Sequence, residues 1–458
     1  LCPVGALTSK PYAFEARPWE LKKTESIDVM DAVGSNVRID TYGWEVKRVL
    51  PRINNNINEE WISDKTRYAC DGLLKQRLDK PYKRVSGKLV ETTWDDVISL
   101  VSLKLKETDP NFVGGHIGDM SSLETINVFK NFLNSLGIFN NEFREKYFFI
   151  NNENKINYIF NTSINKIEES DFILLIGTNP RVEATILNAR IRKAFLSKKI
   201  PIYSIGSPGD LTYDYKVVGK NTNDIKKILA GDNETTSKLT NSKKPIIIIG
   251  ESALELKSGK YIFEEIKKFL NKNNFINENW NALNVLVQNA STVGLVDLKI
   301  LPNEQGNYDF FEKLYNGKFK LIYLLGSDNI EFKKNHEFMH LLGIGEKNTY
   351  AAQKFDVLLS EQELEESTAE DDTIIVPTSK IILNSMILKN RQQYFGNLRH
   401  TYNSLHEIYR NEYKQLNKIV NDRTAIKLDG LNVAELSDDL RRLSSYRKVL
   451  QDKIKYQF

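Results

Sequence analysis

The chain has 458 residues, which at roughly 100 to 200 residues per domain predicts two to four domains. Hydrophobic residues make up 41% and charged residues 27%, a composition that excludes a mainly disordered or collagen-like protein. The 64 Lys and Arg residues against 60 Asp and Glu residues leave a net charge of +4, which is too small over this length to indicate a nucleic-acid-binding or anionic-membrane-binding surface.

Local composition gives no sign of a membrane span or a disulfide framework. The longest apolar runs, such as Phe172–Ile176, are far shorter than the roughly 20 residues that span a bilayer. The two cysteines, Cys2 and Cys70, form neither a disulfide framework nor a zinc site of their own, so we expect a reducing compartment. The first residues fit neither a signal nor a transit peptide and lack an initiator Met, so we expect this sequence to be the continuation of a preceding segment.

The first 82 residues are predicted to form a connector and a small β-rich domain. Residues 1–25 contain three prolines and many turn-forming residues, which is typical of an irregular tail. Residues 26–82 are centred on a hairpin, because Asn36–Asp40 alternates, Gly43 lies at a turn, and Val46–Leu50 returns.

Residues 83–400 are predicted to form an α/β body with a mostly parallel sheet. Short apolar runs alternate with amphipathic helices such as Glu183–Phe195, which is the pattern of βαβ units. The predicted strands are Asp171–Gly177, Ile200–Ile205, Lys244–Gly250, Lys320–Gly326 and Phe355–Leu359. Residues 401–458 are predicted to be a C-terminal helical segment, because Ile408–Tyr456 is charged and carries an apolar stripe without a strand pattern.

Cys2 is a candidate iron ligand because it precedes a proline. A proline after the last cysteine is a common feature of ferredoxin-type [4Fe-4S] sites. Such a cluster usually has four thiolate ligands, and the only other thiol, Cys70, is 68 residues away, so the chain alone does not complete a cluster. The alternative interpretation of the dipeptide is a terminal thiol without a metal.

Several long segments closely resemble the large iron-sulfur subunit (75 kDa, or G) of respiratory complex I. The similar segments are Cys2–Phe14, Ala16–Glu20, Lys23–Asn36, Asn58–Arg67, Gly177–Ala184, Asn188–Lys193 and Gly206–Tyr213. The resemblance is specific to about residue 330. Beyond that point only a degraded counterpart remains, around Leu388–Gln393.

This resemblance implies a molybdopterin-oxidoreductase-like, multi-layer α/β fold with parallel sheets, preceded by a small β-rich domain. It implies a subunit of NADH:quinone oxidoreductase that supports the electron relay from NADH and flavin toward quinone and has no catalytic residues of its own. Cys2 would be the fourth ligand of a [4Fe-4S] cluster completed by cysteines outside this chain, and no molybdopterin would be bound. Partners would be other peripheral-arm subunits, including the NADH- and flavin-binding subunit, and the missing Cys-rich portion. No nucleic-acid partner is expected, and the location would be peripheral on the mitochondrial inner membrane, matrix side, or on the cytoplasmic face of a bacterial plasma membrane.

A second cluster site of the ancestral molybdenum enzymes has lost its cysteines here. The spacing C-x2-C-x3-C-x27-C falls on Asp28, Asp31, Ser35 and Ser63. Oxygen ligands suit hard cations and are poor substitutes for thiolates on iron, so we expect no cluster at these positions and a hairpin held by packing. Cys70 is out of register with this spacing and is interpreted as a small structural side chain.

Two alternative functions remain open from sequence. An active molybdopterin oxidoreductase would need a Ser, Cys or selenocysteine metal ligand, and none is identifiable. A zinc metallopeptidase is suggested by the H-E-x-x-H pattern formed by His336, Glu337 and His340, which on a helix would place two imidazoles one turn apart with a carboxylate base. Against zinc, the segment follows a predicted strand and is interpreted as a short crossover helix with Phe338 and Leu341 packing inward.

Overall fold

The structure is a computed structural model that describes residues 8–72, 80–86, 88–118, 121–231, 234–301, 309–327, 330, 340–344 and 374–375. Its strands are β1 (Lys22–Ile27), β2 (Asn36–Tyr42), β3 (Glu45–Pro51), β4 (Tyr82–Val85), β5 (Lys88–Glu91), β6 (Val113–Ile117), β7 (Asn141–Glu142), β8 (Phe172–Ile176), β9 (Ile202–Ile205), β10 (Lys216–Gly219), β11 (Pro245–Gly250), β12 (Leu283–Leu286), β13 (Leu321–Leu325), β14 (His340–Ile344) and β15 (Ile374–Ile375).

The α-helices are α1 (Asp64–Tyr68), α2 (Trp94–Glu107), α3 (Leu123–Ser135), α4 (Pro180–Glu183), α5 (Thr185–Lys198), α6 (Thr222–Ala230), α7 (Glu234–Thr240), α8 (Glu251–Leu254), α9 (Gly259–Lys272), α10 (Thr292–Asp297) and α11 (Asp309–Tyr315). None of these described helices combines the length and hydrophobicity needed to cross a lipid bilayer.

The small N-terminal domain is a three-stranded antiparallel sheet in the order β1-β2-β3. The predicted hairpin is confirmed as β2 and β3, and Gly43 at its turn has a φ of +56°, a conformation that glycine adopts without steric cost. Among the described residues of this domain, the apolar core cluster has three buried side chains, Val37, Val49 and Ile62.

Strand β1 was missed by the sequence analysis, which placed residues up to 25 in an irregular connector. Its sequence, KKTESI, has no apolar alternation, and nearly all of its residues are exposed. The strand exists because its backbone pairs with β2 from Lys22↔Thr41 to Ile27↔Asn36, at the edge of the sheet. An edge strand held by backbone hydrogen bonds leaves no apolar pattern in the sequence.

The centre of the α/β body is a five-stranded parallel sheet in the order β10-β9-β8-β11-β12. Strands β8 and β11 lie in its middle, and all of their residues are buried, because helices cover both faces. Helix α5 connects the parallel neighbours β8 and β9, which confirms the predicted βαβ unit. Helix α9 packs Ile262, Phe263, Ile266 and Leu270 into the same core.

A second sheet has the strand order β5-β4-β15-β14-β13-β6-β7. The five strands from β15 to β7 are parallel, and β4 and β5 are antiparallel additions at one end. Strands β6 and β13 pair from Leu321↔Val113 to Leu325↔Ile117. The predicted strand at 321–325 is therefore confirmed as β13, and β6 is its neighbour in the sheet.

The interpretation of residues 340 and 341 as part of a crossover helix is wrong. His340 is the first residue of strand β14, which pairs in parallel with β13. The physical reason is the apolar run Leu341–Ile344, which is as short as a buried strand and too short for an amphipathic helix. Residues 336–339, the predicted strand Phe355–Leu359 and the predicted helix Ile408–Tyr456 lie outside the described residues.

Candidate functional site

The structure brings the four positions predicted from cluster spacing into one buried pocket of the small domain. Asp28, Asp31, Ser35 and Ser63 are each at most 4% exposed. Asp28, Asp31 and Ser35 lie in the loop between β1 and β2, and Ser63 caps the N-terminus of helix α1. The Asp28 N–H donates to the Ser35 carbonyl at 2.8 Å, which closes the loop on itself. We call these residues, with Lys65 and Thr66, the loop pocket.

A chain of hydroxyl groups links helix α1 to the loop. The Thr66 Oγ1 donates to Asp28 Oδ2 at 2.6 Å, and the Ser63 hydroxyl lies 2.6 Å from Thr66 Oγ1. Because the Thr66 proton is directed to Asp28, the Ser63 hydroxyl is the donor in the second bond. Asp28 Oδ1 also accepts the Met30 N–H at 3.0 Å. Hydrogen bonds therefore hold this part of the domain, in addition to the packing expected from sequence.

Asp31 is less well compensated than Asp28. Its Oδ1 accepts the Val33 N–H at 3.0 Å, but its Oδ2 has no hydrogen bond among the described residues and lies 3.8 Å from Lys65 Nζ. Burial and the nearby Asp28 carboxylate raise the pKa of Asp31 to about 6, against the opposing charge of Lys65. Burial also raises the pKa of Asp28, although its bond from Thr66 acts in the other direction.

The loop pocket does not fit an iron-sulfur cluster. Its four spaced positions carry two carboxylates and two hydroxyls, whereas clusters of this kind are held by thiolates. Among the described residues, no group of three or more His, Cys, Asp or Glu side chains is arranged to hold a metal ion. Cys70 packs against the apolar core of the domain, with its Sγ 3.8 Å from the Arg67 carbonyl, in agreement with a structural role.

The N-terminal tail is anchored on the outer face of the hairpin. Buried Asp40 accepts bonds from Arg38 and Arg48, and the Arg48 guanidinium lies 4.4 Å from the centroid of the Tyr12 ring. Glu15 forms an ion pair with Lys47 at 3.0 Å. Cys2 lies outside the described residues, so its role as a cluster ligand stays a prediction.

Arg190 of helix α5 joins the small domain to the body. Its Nη1 lies 2.6 Å from Glu168 of the body and 2.9 Å from Glu59 of the small domain. Its remaining donors bind the carbonyls of Asn55 and Ile57, with the Ile57 bonds at 3.0 and 3.1 Å. The side chain of Arg190 is only 4% exposed, so this arginine is a buried link between the two regions.

The carboxyl edge of the parallel sheets is the usual ligand-binding edge in α/β proteins. Here the chain itself closes the edge at two places. A Cβ on Gly118, after β6, would lie 1.7 Å from the carbonyl oxygen of Gly326, after β13. A Cβ on Gly250, the last residue of β11, would lie 2.4 Å from the carbonyl oxygen of Gly177, after β8. Such close backbone contacts need glycine, and they leave no gap between these loops for a ligand.

Acidic side chains also lie at this edge. The Thr178 hydroxyl donates to Glu183, and Glu251 Oε1 accepts the Gln288 N–H at 2.8 Å. Carboxylates repel the phosphates of a pterin dinucleotide, and the Thr178 hydroxyl is already bonded to Glu183. Glu183 and Glu251 therefore do not fit a phosphate site.

A buried histidine of the second sheet and a buried ion pair beside it were missed by the sequence analysis. His116 on β6 is fully buried, with Nε2 2.9 Å from the Arg144 carbonyl and Nδ1 2.6 Å from the Ser327 hydroxyl. Arg144 also forms a buried ion pair with Glu142 at 2.6 Å. Because a carbonyl only accepts, the Nε2 atom carries the proton, and burial lowers the pKa of His116. The only sequence signal was a histidine inside a short glycine-rich apolar run.

Two protein-family models match the chain. The larger match, to residues 77–362, is to the molybdopterin oxidoreductase family and covers more than half of the chain. The chain belongs to this family. The smaller match, to residues 21–71, is to the 4Fe-4S domain of NADH-ubiquinone oxidoreductase NDSU1/NuoG-like proteins, and it coincides with the small β domain. The predicted fold class is thus confirmed, and the second match supports an association with iron-sulfur proteins.

The curated relatives of this family member confirm the resemblance found in the sequence. The chain is 41% identical to the NADH-ubiquinone oxidoreductase 75 kDa subunit of Reclinomonas americana, over 81% of this chain and 55% of that protein. It is 42% identical to the mitochondrial 78 kDa subunit of Candida albicans, over 78% and 49%. It is 40% identical to an NADH-quinone oxidoreductase subunit of Rickettsia conorii, over 73% and 48%. The chain spans about half the length of the curated relatives it matches.

Among solved structures, the acetylene hydratase of Pelobacter acetylenicus matches with a TM-score of 0.31 and 14% identity, over 61% of this chain and 38% of that one. A similarity of this size supports no functional argument.

Proposed function

We propose that this chain is part of the large iron-sulfur subunit of NADH:quinone oxidoreductase and supports the electron relay of its peripheral arm. The observation that carries the proposal is the identity of about 40% to subunits of that enzyme, extending over about four fifths of this chain. The oxidoreductase activity would belong to the assembled enzyme. Two close backbone contacts narrow the edge that binds cofactor in many α/β proteins, which supports a scaffold without molybdopterin.

Cys2 would contribute one thiolate to a [4Fe-4S] cluster whose other ligands come from outside this chain. When bound, the cluster would accept and pass on single electrons between flavin and quinone. The chain's own contribution would be ligation and placement. The contact of Tyr12 with Arg48 and the pair Glu15–Lys47 attach the tail to the hairpin, and Arg190 attaches the hairpin domain to the body.

The partners would be other subunits of the peripheral arm, including the one that binds NADH and flavin, and the cysteine-rich portion that completes the cluster. The chain would be peripheral to the membrane, on the matrix side of the mitochondrial inner membrane or the cytoplasmic face of a bacterial plasma membrane. The relatives include mitochondrial and bacterial proteins, which supports both locations equally.

Iron analysis and electron paramagnetic resonance would test the proposal on the chain alone and on the chain assembled with the cysteine-rich portion. We expect no iron in the isolated chain and a cluster signal in the assembly. Cys2→Ala should remove or alter that signal, and Cys70→Ala, the matched control, should leave it unchanged. An unchanged signal in Cys2→Ala would exclude the ligand role. Stoichiometric molybdenum in the assembly would instead support an active molybdopterin oxidoreductase.

A further inference from the structure

The loop pocket contains a buried charge that the described residues do not balance. Asp28 and Asp31 bring two carboxylates into a space where neither is more than 4% exposed. The charged groups that act on Asp31 are Asp28, in the same loop, and Lys65, on helix α1. The single ammonium lies 3.8 Å from Asp31 Oδ2, which is beyond hydrogen-bond distance.

Two oxygen atoms of the pocket are also without donors. Asp31 Oδ2 and Ser35 Oγ make no hydrogen bond to any described residue, and both residues have zero exposure. A buried acceptor without a donor costs free energy, and a buried unpaired charge costs more. Protonation of one carboxylate removes the unpaired charge. Asp31 is the better proton acceptor, because the Thr66 hydroxyl already donates to Asp28.

We propose that the small domain closes around a proton held by Asp31, and that release of this proton loosens the 28–35 loop from helix α1. The family domain that matches this region is described as a 4Fe-4S domain, and the residues here do not fit that cluster. In this chain a proton and a hydrogen-bonded hydroxyl chain occupy the place where a cluster would join the loop to the helix. This inference is independent of Cys2 and of the proposed function.

The sign of the pH dependence follows from the raised pKa. In the closed loop the pKa of Asp31 is about 6, against 3.8 for an ordinary aspartate, so the closed state holds its proton at a pH where the open state has lost it. Stability from this proton is present at low pH and is lost as the pH rises through about 6. For this pair of pKa values, opening should become about tenfold more favourable between pH 5 and pH 8.

Hydrogen exchange of the 28–35 loop in the full chain would test this inference, measured at pH 5, 6.5 and 8 and corrected for the intrinsic exchange rates. We expect about tenfold less protection at pH 8 than at pH 5. Asp31→Asn mimics the protonated acid, so its protection should vary less with pH than that of the wild type, with only the contribution of Asp28 left, and should be higher than that of the wild type at pH 8. Asp64→Asn is the matched control, because Asp64 is an exposed aspartate of the same helix, and it should follow the wild type.

A second variant keeps the test decisive if Asp31→Asn does not fold. Lys65→Met leaves Asp31 in place and removes the charge that lowers its pKa, so the loss of protection should move to higher pH. Protection that does not change between pH 5 and 8 in the wild type would overturn the inference, as would a pH dependence in Asp31→Asn as large as that of the wild type. Restoration of protection at pH 8 by Mg²⁺ or Ca²⁺ would also overturn it, because a cation would then be the occupant.

Discussion

The small β domain and the parallel-sheet body are stabilised in different ways. The centre of the body is apolar, with every residue of β8 and β11 buried under helices. In the described part of the small domain, the apolar core cluster has three buried side chains, and most of the other buried residues are polar. Burial of apolar area is non-directional and tolerates substitution of similar volume, whereas buried polar groups depend on each partner.

This difference determines how strictly each region depends on the identity of its buried residues. In the body any large aliphatic residue serves at most core positions, so the apolar pattern alone identifies strands such as β8 and β11. In the small domain Asp28, Asp40 and Asn58 each bind specific partners. The Asn58 side chain accepts the Asn36 N–H of β2 and donates to the carbonyls of residues 52, 59 and 61. A polar core of this kind is sensitive to pH and to single substitutions, which the following predictions use.

The largest effect is expected for Ile247→Ala in the body. Ile247 is fully buried on β11, between Leu174 of β8 and Leu283 of β12. Removing its methyl groups should lower the free energy of unfolding of the body by about 4 kcal/mol. Hydrogen exchange of residues 245–250 would measure this loss, and residues 36–51 of the small domain should keep their protection. Leu256→Ala, at a half-exposed leucine, is the control and should change it little. Equal losses in both regions would show that they unfold as one unit.

The next effect is expected at the link between the two regions, for Arg190→Met. Methionine keeps most of the apolar stem but removes the donor that Glu59, Glu168 and two carbonyls share. Lys193 still pairs with both glutamates, so the loss of about 3 kcal/mol should come mainly from the two carbonyls. The loss should be visible in hydrogen exchange of residues 54–61, on the small-domain side. Arg192→Met, on the exposed side of the same helix, is the matched control. Unchanged protection at 54–61 would contradict the role of Arg190 as a link.

Asp40→Asn should destabilise the small domain, in contrast to Asp31→Asn. Burial alone would raise the pKa of Asp40, but the hydrogen bonds and charges of Arg38 and Arg48 outweigh it and hold the pKa below 3.8. The stability from this carboxylate is therefore present above about pH 4 and is lost as the pH falls through the lowered pKa. We expect the free energy of unfolding of the small domain to fall by about 2 kcal/mol at pH 7 and by less at pH 3. Urea unfolding, monitored by hydrogen exchange of residues 36–51, would measure both losses. A loss of equal size at both pH values would contradict the ion-pair explanation.

Much of the fold could be predicted from the sequence because the central strands are continuous apolar runs. Strands β8, β9, β11 and β13 were recognised on this basis. Strands β6 and β12 were missed, since Gly114, Gly115 and His116 interrupt the first and Asn284 the second, although all four residues are buried. The burial of a polar residue in a strand can be recognised only when its tertiary partner is known. Asn284, for example, donates to Thr162 Oγ1 at 3.1 Å.

The candidate site was predicted in position but not in chemistry. Counting a cluster spacing located Asp28, Asp31, Ser35 and Ser63, and the structure places them together. The hydrogen bond from Thr66 to Asp28 could not be predicted from the sequence, because the two residues are 38 positions apart. The role of Cys2 and the domain boundaries stay predictions.

The smallest effect concerns the anchor of the N-terminal tail, for which the small domain uses both a ring contact and an ion pair. Glu15 is about half exposed, so Glu15→Gln should cost at most about 0.5 kcal/mol, and 0.5 M NaCl should remove the effect. Tyr12→Ala loses the contact with the Arg48 guanidinium and the hydrogen bond to the Ala16 carbonyl, so it should cost about 1.5 kcal/mol. Hydrogen exchange of residues 9–16 would measure both variants. If Glu15→Gln released the tail as fully as Tyr12→Ala, the anchor would be electrostatic, and the polar character of this domain would extend from its core to its surface.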